Sequence, residues 1–135
     1  MKTNRLTKSR TCVYNINYHI AWCVKYRKKI LTGEIEIYLK HQLYQISKKH
    51  NFVIHAMECD KDHIHMFVSA HPKIPISQIV KLCKGTTSRN LFNRFPFLKT
   101  ILWENTLWNP SFFVETIGST SEENIKRYIQ NQKTK

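Results

Sequence analysis

A chain of 135 residues with 41% hydrophobic and 12% aromatic residues is one folded domain, too short for two and too apolar to be disordered. Its net charge of +13 favours a polyanionic partner, nucleic acid above all, over a basic surface kept only for solubility. The scattered Cys12, Cys23, Cys59 and Cys83 form no Cys-x-x-Cys pair, which argues against a zinc ribbon or disulfide scaffold and for small core residues in a reducing cytoplasm. No apolar run follows the basic start, and none approaches the roughly 18 residues of a membrane span, so neither a signal peptide nor a membrane is expected.

Residues 1–10 are polar and basic and read as an arm that lies on a phosphate backbone. From Cys12 to Val24 the alternation predicts one long strand, with Tyr14, Ile16, Tyr18, Ile20 and Trp22 on one side and Asn17, His19 and Cys23 on the other. The cluster Lys25-Tyr26-Arg27-Lys28-Lys29 follows. An aromatic ring among cations at a strand end suits base stacking and phosphate contact, although charge runs are more often solvated loops. Gly33 opens a helix to about Lys49, with Ile35, Tyr38, Leu39, Gln42, Leu43 and Ile46 on one stripe and Asn51 as its C-terminal cap.

Phe52 to Glu58 reads as a second strand, joined by a short charged turn to a third that carries His63-Ile64-His65. In that third strand Ile64, Met66, Val68 and Ala70 face the core, and His63, His65, Phe67 and Ser69 face the other way. Neutral imidazoles at i and i+2 can share one metal ion, though most such pairs are plain surface residues. Pro72 and Pro75 end the strand. Ser77 is the expected N-cap of a helix with Ile76, Ile79, Val80, Cys83, Thr87 and Leu91 at core spacing, and Pro96 closes it. Lys81, Lys84, Ser88 and Arg89 form a polar stripe on its other face that meets DNA or water. Leu107 to Ile117 reads as a fourth strand, with Pro110 marking an edge or bulge.

The order strand, helix, strand, strand, helix, strand defines an α+β fold. It is a ferredoxin-like, RRM-like βαββαβ antiparallel sheet with both helices on one face, over residues 11–117. The open face of such a sheet binds single strands in RNA-recognition modules, and here it would carry His63 and His65.

A last helix, within residues 119–133, starts after Gly118 with a Thr120 and Glu123 capping box. Ile125 and Ile129 give it a thin apolar stripe, and Asn124, Tyr128 and Gln132 line another face. Alone this is an amphipathic tail. Beside a metal-bound phosphodiester, the Tyr128 hydroxyl becomes a nucleophile despite an ordinary pKa of about 10. Gln132 would supply a third, oxygen ligand to His63 and His65, leaving positions open for phosphate and water. That donor set suits Mg²⁺ or Mn²⁺.

His-x-His on a strand, with Tyr128-Ile129-x-x-Gln132 far downstream, resembles the single-tyrosine HUH transposases of the IS200/IS605 insertion sequences. Tyr18-His19-Ile20-Ala21-Trp22, Lys25-Tyr26-Arg27, Asp60-Lys61-Asp62, Lys84-Gly85-Thr86 and Leu107-Trp108-Asn109-Pro110-Ser111-Phe112-Phe113 are similar to that family over nearly the whole chain. The resemblance implies a dimeric DNA transposase acting on single-stranded hairpins at element ends. Tyr128 would form a 5′-phosphotyrosine intermediate, and its helix could serve either its own subunit or the partner. Lys25, Tyr26, Arg27, Lys28, Lys81, Lys84, Arg89 and Arg127 are the candidate DNA contacts. Competing readings are a repeat-associated, transposase-like hairpin nickase and a non-catalytic ferredoxin-like binding module. A carboxylate-triad nuclease fits poorly, because the acids fall mostly in turns and helix starts. Asp60 and Asp62 belong to the turn before the histidines, with Asp62 able to act behind a ligand.

Overall fold

The computed structural model describes residues 7–8, 13–102 and 105–118. Short strands β1 (Thr7–Lys8) and β2 (Val13–Tyr14) pair with each other in an antiparallel ribbon. The main strand β3 begins only at Asn17 and runs to Cys23. The long strand expected from Cys12 is therefore two elements, interrupted at Asn15 and Ile16, because β2 pairs with the preceding arm while β3 joins the main sheet. The expected basic arm is thus partly a strand, at Thr7–Lys8.

Helix α1 (Gly33–Lys49) starts at a glycine with φ +56, a left-handed conformation that costs glycine little. Glu34 and Glu36 lie in its first turn and Lys48 and Lys49 in its last, complementing the helix dipole at both ends. Asn51 follows at φ +59, the left-handed stop expected of it. Ile35, Leu39, Leu43 and Ile46 are buried, as the stripe predicted. Strands β4 (Val53–Cys59) and β5 (His63–Ser69) form a hairpin whose register slips at His55, where a bulge sits between Ile54 and Ala56.

Helix α2 spans Ile76–Arg94, with Pro75 and not Ser77 at the cap position and no side-chain cap bond. Proline suits this place because its fixed φ is already helical and its missing N–H is not needed there. A short helix α3 (Leu98–Ile101) follows. The last described strand, β6, is only Phe113–Ile117. The stretch 107–112, expected to be strand, touches the sheet through one bridge, Val24 to Trp108. Its carbonyls are taken elsewhere: Lys84 Nζ donates to Asn109 O at 2.6 Å and to Ser111 O at 3.1 Å, and Pro110 has no N–H for a ladder.

The sheet order is β4-β5-β3-β6, all antiparallel, which is the expected α+β split βαβ arrangement with α1 and α2 as its two long helices. Ile20, Trp22, Val24, Ile64, Met66 and Val68 point from the central strands into one core with the helices. Full burial of such a side chain is worth about 1.5–3 kcal/mol. Strand alternation therefore commits Asn17, His19, Ala21, Cys23, His63, His65, Phe67 and Ser69 to the opposite face.

Candidate metal centre

The β4–β5 turn positions the first candidate ligands. Asp60 N donates to His63 O at 2.8 Å, closing a tight turn over Lys61 and Asp62. Val24 N bonds Asp62 O, and Leu31 N bonds Lys61 O, each at 2.8 Å, so the turn is tied to the segment that follows β3. Asp60, His63 and His65 offer ligand atoms that lie within 4.8 Å of one another. Donors around one divalent ion at about 2.1 Å sit roughly 3 Å apart when adjacent, so a small contraction would complete the site.

Each histidine has a partner on one ring nitrogen that leaves the other for a candidate metal. His63 donates from Nδ1 to Asp62 Oδ1 at 2.6 Å, which turns Nε2 toward Asp60 Oδ2, 3.1 Å away. Asp62 in turn accepts from Arg27 Nε at 3.2 Å. Burial alone would raise the Asp62 carboxyl, but the hydrogen bonds from His63 and Arg27 and their charges outweigh it and hold it below the usual range. His65 Nδ1 lies 3.1 Å from His19 Nε2, and the rings stack at 5.3 Å between centroids. If His65 donates from Nδ1, its Nε2 carries a lone pair. That Nε2 is buried and finds no hydrogen-bond partner among the described residues. An unsatisfied buried nitrogen costs about 1–3 kcal/mol, and a metal ion would satisfy it. The donors therefore fit a divalent cation: two imidazoles and a carboxylate, with further positions open.

His19 and His65 are 1% and 7% exposed. Burial lowers both pKa values; for His65, burial first and then the charges of His63 and His19 outweigh the carboxylates of Asp60 and Glu58 and bring it to about 4. A neutral imidazole is the form that binds metal. The unfolded chain binds these protons near pH 6.5 and the folded chain at lower pH, near 4 for His65, so unfolding takes up protons in between. Stability should therefore fall as pH drops from 6.5 toward about 4. Urea titrations of metal-free protein at pH 7 and pH 5 measure this, and equal midpoints would contradict it.

Asp62→Asn is expected to weaken Mn²⁺ binding about 10- to 100-fold, the usual cost of losing a partner behind a histidine ligand. Calorimetry with wild-type and variant protein reads it directly. An unchanged affinity would mean that Asp62 does not orient His63.

The basic cluster lies beside this turn. Lys25–Arg27 form a single 3-10 turn in which Tyr26 and Arg27 have φ of +60 and +52. Left-handed conformations cost such residues about 1–3 kcal/mol each and concentrate at functional sites. Tyr26 is 55% exposed, with the Lys25 ammonium 5.3 Å from its ring. Arg27, read from sequence as a DNA contact, spends its Nε on Asp62. Lys28 is exposed. Lys84 is turned to the 109–111 carbonyls, and burial lowers its pKa. Lys81 and Lys84 line a groove of about 520 Å³ between α2 and residues 105–112, and Arg89 and Lys81 line another of about 430 Å³. Tyr128, Gln132 and Arg127 lie outside the described residues, as does Cys12. Cys59 and Cys83 are buried, and burial pushes the Cys83 thiol up to about 12. Cys23 departs from the expected core role: it is half-buried, opposite His63 on the histidine face.

His19 and Asp60 are the site residues that sequence reasoning missed. His19 shared the alternation of the metal face, but its closeness to His65 depends on β3 and β5 being neighbours. Asp60 has no periodic signal, being in a turn. His55, on the same sheet, is engaged by Ser69, whose Oγ also donates to Asn17 Oδ1 at 2.7 Å.

A βαββαβ sheet with a paired-histidine centre at the β4–β5 turn defines the class, and comparison with known proteins agrees. Residues 12–132 match the family described as "Transposase IS200 like". The chain is 38% identical over 130 residues to the ISDra2 transposase TnpA of Deinococcus radiodurans, covering 96% of this chain and 93% of that protein. It is 31% identical over 119 residues to the transposase for insertion sequence element IS200 of Salmonella typhimurium, covering 88% and 78% of the two chains. A crystal structure from D. radiodurans described as a transposase superposes with a TM-score of 0.77 at 36% identity, over 93% and 97% of the two chains. A tyrosine transposase bound to a REP hairpin shares the fold, with a TM-score of 0.60 at 15% identity over 90% and 67%. The chain belongs to the IS200-like transposase family.

Proposed function

We propose that this chain cleaves and rejoins single-stranded DNA at the ends of an insertion sequence, with Tyr128 as nucleophile and His63, His65 and Asp60 as metal ligands. The observation that carries the reading is the convergence of Asp60, His63 and His65 in a chain of this family, with His65 Nε2 buried and unpartnered among the described residues. The resemblance to this family supports Gln132 as a further oxygen ligand. Mg²⁺ or Mn²⁺ suits a nitrogen and oxygen donor set with open positions. A bound divalent ion supplies charge neutralisation at the scissile phosphate.

The residues divide the remaining work. Asp62 and His19 hold the two imidazoles with Nε2 forward. The Tyr128 oxygen forms its bond to phosphorus as the bond from phosphorus to the 3′ oxygen breaks, and the phenolic proton ends on that departing oxygen. The products are a 5′-phosphotyrosine and a free 3′-hydroxyl. One phosphodiester replaces another, so a second 3′-hydroxyl can reverse the step without ATP. The substrate class is a hairpin with single-stranded flanks and the working unit a homodimer, both on family grounds. The basic cluster Lys25, Tyr26 and Lys28 beside the turn supplies phosphate and base contacts.

Calorimetry of Mn²⁺ into wild-type and His63→Ala protein tests the metal centre, with loss of binding expected in the variant. Equal affinities would contradict it. DNA binding should also weaken steeply with salt, by about 10³-fold or more between 50 and 200 mM if six or more phosphates are neutralised. Fluorescence anisotropy of a labelled hairpin against salt gives the slope, and a flat response would contradict the electrostatic interface.

A further inference from the structure

Beside the metal ligands lies a cavity of about 310 Å³ lined by Ala21, Cys23, Arg27, His63, Phe112 and Phe113, among others. Strand register explains its shape. Ala21 is paired with His65 on one side and Phe113 on the other, and Cys23 is paired with His63. Two small side chains on the central strand thus make a low floor between an imidazole wall on β5 and a phenyl wall at the start of β6. Phe112 and Phe113 are 43% and 49% exposed, unusual for adjacent phenylalanines next to a candidate catalytic site. Phe113 packs edge-on against His19 at 5.5 Å, the imidazole that partners His65. The Lys84 ammonium sits 6.0 Å from the Phe112 ring. Arg27 brings a planar cation to the rim.

We propose that this slot is a nucleobase subsite, seating one base of the DNA strand next to the phosphate held at Asp60, His63 and His65. Aromatic faces and a guanidinium plane are the groups on which unpaired bases stack, and the chain's net charge of +13 complements a nucleic-acid strand. The volume is at the low end of the roughly 300–1,000 Å³ typical of small-ligand sites, which suits one base and not several. The shared wall at His63 couples the two functions: a base in the slot fixes which phosphate faces the metal. The subsite rests on the metal-centre reading above, and the test separates the two.

The probes are deoxyadenosine 5′-monophosphate and deoxyribose 5-phosphate, each with Mg²⁺, followed by NMR of the Phe112 and Phe113 ring signals. The nucleotide should bind at least about tenfold more tightly than the base-free sugar phosphate and shift both rings, the size expected of one stacked base. Ala21→Leu, which fills the floor, and Phe112→Ala, at an exposed position, should each remove that preference while Mg²⁺ affinity stays within about twofold. Equal binding of the two probes by wild-type protein overturns the subsite and leaves the metal centre standing. A preference that survives both variants also overturns it. Absence of Mg²⁺ binding in wild-type protein overturns the metal centre, and the subsite with it.

Discussion

Replacing His65 with alanine is expected to remove metal-dependent DNA cleavage and to lower Mn²⁺ affinity by at least about 100-fold, more than the loss of a residue behind a ligand costs. The expectation rests on one atom. His65 Nε2 is buried and without a partner among the described residues, and a ring nitrogen of His65 lies within 4.8 Å of ligand atoms of Asp60 and His63. His19 on the other ring nitrogen leaves no second use for it. The substitution also costs His19 this hydrogen bond, a loss of about 1–3 kcal/mol for a buried polar group, so the variant's melting curve must be recorded alongside. Calorimetry and a metal-titrated cleavage assay on folded variant protein decide it. Cleavage at wild-type rate would mean that the paired histidines are structural.

Tyr128→Phe removes the hydroxyl and keeps the ring. It should reduce strand cleavage by more than about 10³-fold, since the attacking oxygen itself is lost. DNA affinity, measured by anisotropy, should stay within about twofold. That contrast distinguishes the nucleophile from a binding residue, because a tyrosine that only stacked on a base would lose affinity as well as rate. A variant that releases 3′-hydroxyl product as fast as wild type would show that water or another residue attacks.

The parts of this account that were legible in sequence are the ones with local periodicity. Alternation over 63–69 separated the histidines from Ile64, Met66 and Val68, and the structure keeps that division. The stripe of α1 and the left-handed stop at Asn51 were equally readable. The element order then allowed one compact antiparallel sheet, and its observed strand order follows. What escaped was non-local. Nothing near Trp108 or Asn109 shows that a lysine on α2 takes the carbonyls of Asn109 and Ser111 and keeps 107–112 out of the sheet. Arg27 looked like a phosphate contact because it stands in a charge run, yet its guanidinium closes on Asp62, distant in sequence. The functional pairing of His19 with His65 required knowing that β3 and β5 are neighbours. Asp60 required knowing how the turn folds back on His63.

The account stands or falls on covalent chemistry at Tyr128 assisted by the Asp60, His63 and His65 centre. Single strands from both sides of the gene, each end-labelled, are incubated with wild-type protein in Mn²⁺ or in chelator and run on a denaturing gel. The account predicts a protein–DNA adduct on one strand only, present with Mn²⁺, absent with chelator, and absent with Tyr128→Phe. An adduct that forms in chelator, or that persists in the Tyr128→Phe protein, would contradict it.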